Sequence, residues 1–184
     1  KKREGYREAF DQFDSKKISK YTAFKIAALL QNPNIVRNKL KVNSIVLNAR
    51  LFLEVQKEFG SFDKYIWQFT DGKTIQHSFK KMTDIPANTP ESDAMSKDLK
   101  KRGFKFIGTT ICYAFMQATG MVNDHLEYCF RYKELCSEGG GGMISDNGGE
   151  NSGGNSGDLK QAQLSENIIS GELKEANLIQ SEIE

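Results

Sequence analysis

The chain has 184 residues, and its formal charge of +2 conceals two unlike parts: residues 1–133 hold 24 basic and 14 acidic side chains, a net +10, while residues 134–184 hold 2 and 10, a net −8. A body this basic favours a polyanionic partner. Cys112, Cys129 and Cys136 are too few and too unevenly placed for a disulfide framework, no apolar run is long enough to cross a membrane, and no charged-then-apolar leader opens the sequence; a cytoplasmic protein, or a nuclear one in a eukaryote, without a membrane partner is expected.

Within the body the patterning is helical almost throughout, so an all-α helical bundle over residues 1–133 is expected, a size typical of one domain. Tyr6, Phe10 and Phe13 recur at helical spacing. Ala23 to Leu30 reads as a short helix ended by Asn32-Pro33. Ile35 to Phe59 reads as one long helix or two, with Ile45, Ala49, Phe52 and Val55 on one face and Gly60 as the stop. Tyr65 to Phe69 is a further apolar turn around Trp67, ended by Asp71-Gly72. Pro86 and Pro90 bracket a loop, and the region Thr83 to Asp98 restarts the helical pattern, with Thr89 or Ser92 as the N-cap of a helix running into Lys97 to Arg102.

The next stretch carries the most chemistry. Lys97, Lys100, Lys101, Arg102 and Lys105 surround a turn whose Gly103 and Gly108 let the backbone approach a ligand closely. Past Gly108 an apolar helix begins, so the N–H groups of Thr109, Thr110 and Ile111 lack helical acceptors and face outward, ready for a phosphate oxygen; the Thr109 and Thr110 hydroxyls add donors. A basic helix, a Gly-bounded hairpin and an apolar helix make up the layout of a helix-hairpin-helix that holds a DNA backbone without reading its sequence. The plainer reading is a solvated Lys-rich helix followed by a Gly turn. Phe104 and Phe106, two apart around Lys105, read as core anchors of the hairpin that leave Lys105 outward. Cys112 reads as a core thiol. The candidate DNA-binding residues are Lys100, Lys101, Arg102, Gly103, Lys105, Gly108, Thr109 and Thr110.

From Ser137 to Gly157 the chain is mostly Gly, Ser, Asn and acid, and reads as a flexible linker that cannot bury enough apolar surface to offset its ordering entropy. Beyond it Leu159, Leu164, Ile169, Leu173, Leu178 and Ile183 recur at a spacing near five. That pattern is read either as an acidic tail without a core or as the start of a stacking pentapeptide repeat.

The run Arg102 to Asp124, RGFKFIGTTICYAFMQATGMVND, is followed by His125, Cys129 and Phe130-Arg131-Tyr132 and preceded by SDAMSKDLKK, GSFDKYIWQF, IVRNKLKVNSIVLNA and KKREGYREAFDQFD. Together these segments resemble the 3-methyladenine DNA glycosylase I family of the helix-hairpin-helix DNA glycosylases, over essentially residues 1–133. The resemblance implies an enzyme that flips an N3-alkylated adenine out of double-stranded DNA and hydrolyses its glycosidic bond, leaving an abasic site; a monomer is expected. Such a base is a cationic leaving group, so catalysis needs its selective capture more than a strong nucleophile.

The family pattern also implies a further N-terminal segment ahead of the position of Lys1. That segment is expected to carry the base-binding aromatics, the pocket Glu, and one Cys and one His of a structural zinc site; no catalytic residue is assigned here. Core faces of the type of Ile45, Phe52 and Phe115 are expected to be uncovered without it. His125 and Cys129 are the zinc ligands implied for this chain, at an i, i+4 spacing that places both on one helix face as half of a tetrahedral Zn²⁺ site. Nothing in the spacing supports His77 or Cys136 as substitutes. Where related glycosylases place a catalytic Asp this sequence has Asn123, and Asp124 reads as a helix cap or as the partner that orients His125. Phe106-Ile107-Gly108 keeps only the second Gly of the usual Gly-hydrophobic-Gly hairpin. Two readings therefore stand: a glycosylase, or a DNA-binding remnant without the base pocket.

Overall fold

Short polar side chains start most of the helices, because the first N–H groups of a helix have no partner within it. The structure, a computed structural model, describes residues 2–137. Helix α1 spans Arg3–Ala9. The Asp14 carboxylate accepts the N–H groups of Lys16 and Lys17 at the head of α2, Ser15–Ile18. Thr22 caps α3, Ala23–Leu29; Asn38 caps α4, Lys39–Phe59; Ser61 caps α5, Phe62–Trp67. Helix α6, Pro90–Lys101, opens on a reciprocal pair in which Thr89 Oγ1 accepts the Ser92 N–H and Ser92 Oγ accepts the Thr89 N–H. Helices α7, Thr109–Ala118, and α8, Phe130–Ser137, complete the set. The expected linker and acidic tail lie outside the described residues, apart from the last turns of α8.

The stretch read as one helix or two is one, and it starts at Lys39 rather than Ile35 because Asn38 supplies the cap; it stops at Gly60, whose φ of +84° suits a residue without a Cβ. Helix α4 is the spine of the molecule. Its first half sets Val42, Val46 and Ala49 against Tyr6, Phe10, Ile18 and Leu29 of the N-terminal helices. Its second half sets Phe52 and Val55 against α5, α6 and α7, where Phe62, Tyr65, Met95, Leu99, Phe115 and Met116 form a second core. The faces expected to be uncovered are covered: Phe52 and Phe115 are buried and Ile45 packs against the first core. The exposed large apolar side chains include instead Phe24 and Leu40.

The only feature that departs from an all-α fold among the described residues is a two-residue parallel pairing, β1 Ile75–Gln76 with β2 Val122–Asn123, extended by a bridge between Phe79 and Leu126. It ties the chain just before α6 to the chain just after α7, so the two helices and their connection stand on a closed base. Helices α6 and α7 pack on each other through Met95, Leu99, Cys112, Tyr113 and Met116. No described helix is long and apolar enough to cross a membrane.

Candidate nucleic-acid interface

Residues 102–108 join α6 to α7, and each is fixed by a different device. Gly103 takes a φ of +100°, a conformation that a side chain would strain, and passes over Leu51 of α4. Phe104 and Ile107 are buried in the second core, while Lys105 between them points outward. The Asn48 side chain holds Lys105 by its backbone at both ends: Oδ1 accepts the Lys105 N–H at 2.9 Å and Nδ2 donates to its carbonyl at 3.0 Å. Ser96 Oγ donates to the Ile107 carbonyl at 3.4 Å. Gly108 is the N-cap of α7 in an extended conformation, and no side chain caps the helix there.

The first helical hydrogen bond of α7 runs from the Cys112 N–H to the Gly108 carbonyl. The N–H groups of Thr109, Thr110 and Ile111 precede it and have no helical acceptor, as expected from the sequence. They open onto a groove of about 690 Å³ lined by Lys41, Lys100, Lys105 and residues 106–111 among others. Three ammonium groups line this groove and no carboxylate of the described residues does. A cationic pocket with unpaired N–H donors at a helix start suits an anion of phosphate type.

Not every candidate residue faces that groove. Arg102 is turned to the opposite side of the turn: its Nη1 and Nη2 donate to the Glu58 carboxylate at 2.7 and 3.2 Å, its Nε donates to Asp98 at 2.8 Å, and its guanidinium stacks 4.9 Å from the ring centroids of Phe59 and Tyr65. Hydrogen bonds from Arg102 hold the Glu58 carboxyl below its ordinary range; burial pushes Asp98 upward, but its bonds from Arg102 and Tyr65 prevail and leave it lowered. Arg102 is thus a structural clamp. Lys101 is exposed but lies outside the groove lining. The Thr109 hydroxyl donates to Asp93, with Ser92 Oγ 3.2 Å away, so of the two threonine hydroxyls only that of Thr110 remains for a ligand.

Phe106 is the other correction: it is 44 % exposed rather than a core anchor, and its φ is +56°. It occupies the place of the first Gly in the Gly-hydrophobic-Gly pattern and adopts the left-handed backbone that a Gly would supply, at a cost of roughly 1–2 kcal/mol. The ring lines the groove rather than the core. Cys112 is the expected core thiol, and burial pushes its pKa up to about 12.

Beyond α7, Asn123 is buried and its amide donates to Gln76 Oε1 at 2.8 Å while its Oδ1 accepts the His125 N–H at 3.3 Å, so it holds the turn. Asp124 does not orient the His125 ring. Its carboxylate accepts from His77 Nδ1 at 2.6 Å, Tyr113 Oη at 2.5 Å and Gln117 Nε2 at 2.7 Å. His125 and Cys129 stand on the turn that precedes α8 rather than on a helix face, and the turn still brings His125 Nδ1 to 3.6 Å from Cys129 Sγ. His77 is engaged with Asp124 and Cys136 with Gln76 Oε1. No group of three or more potential metal ligands assembles among the described residues.

The methyladenine glycosylase family model matches residues 1–132. The chain belongs to this family. It is 50 % identical over 129 residues to the DNA-3-methyladenine glycosylase of Haemophilus influenzae, a match that takes in 70 % of each chain. It is 43 % identical over 132 residues to DNA-3-methyladenine glycosylase 1 of Escherichia coli, covering 72 % of this chain and 71 % of that one. Among solved structures, it superposes with a TM-score of 0.67 on a 3-methyladenine DNA glycosylase I at 48 % identity, with 71 % of each chain covered. The Staphylococcus aureus 3-methyladenine DNA glycosylase I gives the same TM-score at 35 % identity over 70 % of this chain and 69 % of that one.

In this methyladenine glycosylase chain the sequence reading missed three residues that shape the groove: Lys41, Asn48 and the exposed ring of Phe106. Lys41 carries a signal in hindsight, a cation in a first helical turn. Asn48 carries none, because its partner is 57 residues away.

Proposed function

We propose that this methyladenine glycosylase excises 3-methyladenine from alkylated double-stranded DNA, hydrolysing the N-glycosidic bond and releasing the free base as an opening step of base excision repair. The match of the family model over residues 1–132 carries this reading. The names of its bacterial relatives and a solved 3-methyladenine DNA glycosylase I in complex with 3-methyladenine support it. The alkylated purine bears a positive charge, so the C1′–N9 bond breaks to release a neutral base; water supplies the oxygen of the new C1′–O bond and gives up a proton. The protein's part is to hold the flipped base and the strand from which it came.

The strand is assigned to the groove, in a helix-hairpin-helix reading of α6, residues 102–108 and α7. Lys100 and Lys105 supply charge, and the N–H groups that follow Gly108, with the Thr110 hydroxyl, supply hydrogen bonds to phosphate. Gly103 shapes the turn. We assign the base pocket and its carboxylate to the family segment that precedes the matched region, and no catalytic residue to residues 1–137.

A structural Zn²⁺ fits the half-site. Typical Zn–S and Zn–N bonds of ~2.3 and ~2.0 Å at a tetrahedral angle put the two donors about 3.5 Å apart, close to the 3.6 Å between Cys129 Sγ and His125 Nδ1. The two residues would hold the metal at one edge, with its remaining ligands supplied by the same preceding segment. The chain is read as acting as a monomer in the cytoplasm.

The deciding experiment is release of free 3-methyladenine from alkylated duplex DNA by this chain. Release establishes the activity and places the base pocket within this chain. Absence of release, with duplex binding that weakens steeply as salt rises, leaves the DNA-binding remnant.

A further inference from the structure

One wall of the groove belongs to neither the hairpin nor α7. It is formed by Lys41, in the first turn of α4, whose Nζ lies 5.8 Å from the centroid of the Phe106 ring. We propose that Lys41, held over Phe106, is a second contact to the DNA backbone, taking a phosphate of the same duplex that the hairpin grips. The proposal rests on the DNA-binding reading above and extends it to a different helix.

Three independent observations carry it. The first is the position of the charge. The positive end of a helix dipole disfavours a cation in the first turn, where acidic side chains are stabilising, yet α4 opens with Lys39 and Lys41 and has no acidic residue in that turn. Helix stability therefore does not explain Lys41, whereas an anion brought to the same place would reverse the sign of the interaction.

The second is the hairpin tip. A non-glycine residue with positive φ is uncommon, and a bulky one is a strained position that the surroundings must hold. Core burial does not justify the aromatic ring at Phe106, since the ring faces the groove. Its contact with the Lys41 ammonium does: a cation within about 6 Å of a ring face is attracted to it, and a long side chain so held loses less freedom when it binds.

The third is the absence of competition. Lys41, Lys100 and Lys105 form no ion pair among the described residues, and no carboxylate lines the groove they share, whereas Arg102 at the other side of the same turn is occupied by two carboxylates. The Asn48 clamp on Lys105 fixes the hairpin against α4, so the two walls keep a constant separation.

The test is the salt dependence of binding to an unmodified duplex, measured for the unaltered chain, Lys41→Gln, Lys100→Gln and Phe106→Asn. Asn tolerates the left-handed backbone and so removes the ring without refolding the turn; melting curves verify that each variant is folded. Lys41→Gln is expected to weaken binding about fivefold at low salt, to the same extent on any sequence, and to lower the slope of log affinity against log salt by about one. Phe106→Asn is expected to weaken binding less, and to add nothing in the Lys41→Gln background, because the ring acts through Lys41. An unchanged slope in Lys41→Gln, with a lowered slope in Lys100→Gln, overturns the proposal and leaves the hairpin reading standing. Unchanged slopes in both variants bring down the hairpin reading, and this proposal with it.

Discussion

Arg102 and Lys105 stand three residues apart on one turn and meet opposite fates. Arg102 is enclosed by Glu58, Asp98 and the rings of Phe59 and Tyr65, so its charge is spent on joining α4, α5 and α6. Among the described residues Lys105 is held by its backbone, through Asn48, and its ammonium shares a groove with Lys41 and Lys100 that no described carboxylate lines. Charge alone does not mark a binding residue; what matters is whether the fold has already supplied the counter-charge.

Substituting the groove cations should have the largest effect. Lys100→Gln with Lys105→Gln is expected to lower duplex affinity on the order of 10²-fold at low salt and to reduce the salt slope by about two, with the melting temperature unmoved. A double variant that binds as before would erase the distinction between the two sides of the turn.

Arg102→Met should do the reverse. It is expected to cost about 1–2 kcal/mol of stability, read from denaturant melts, and to leave the salt slope as it was. The same variant reports on pH. Glu58 and Asp98 have folded-state pKa values below their ordinary ones, so their bonds to Arg102 contribute stability that is present above the ordinary carboxylate range and is lost as pH falls through the depressed values. The acid limb of the stability profile should therefore be shallower in Arg102→Met than in the unaltered chain.

Two smaller effects sharpen the comparison. Gly103→Ala meets no close neighbour beyond Leu51 at 3.6 Å but must hold a φ of +100°, at a cost of about 1 kcal/mol that a melt would detect. Asn48→Ala is expected to weaken duplex binding about threefold without changing the salt slope, because the Asn positions Lys105 and carries no charge. A lowered slope would show that Asn48 governs how many phosphates are engaged.

What the sequence made legible was local. The caps at Thr89 and Gly60, the unpaired N–H groups after Gly108, and the buried face of α4 at Ala49, Phe52 and Val55 all depend on residues within a few places of one another, and the structure places them as expected. What it hid was decided across long separations. Glu58 captures Arg102 from 44 residues away, and His77 captures Asp124 from 47. In both cases the residue type suggested a ligand or a neighbour close in sequence, and a distant group of opposite character took it first. Phe106 was misread for a different reason: spacing two normally gives alternating faces with like residues together, but the left-handed backbone at 106 rotates its ring out of line with Phe104.

The parallel bridge at the foot of α6 and α7 has a kinetic meaning. The Ile75 N–H donates to the Met121 carbonyl, the His77 N–H to that of Asn123, and the Glu127 N–H to that of Phe79. These three amides latch a loop that contains the whole turn and both of its helices. In hydrogen exchange they should open as one cooperative unit with α6 and α7, so their protection times would report how often the turn and its two helices lift together from the spine.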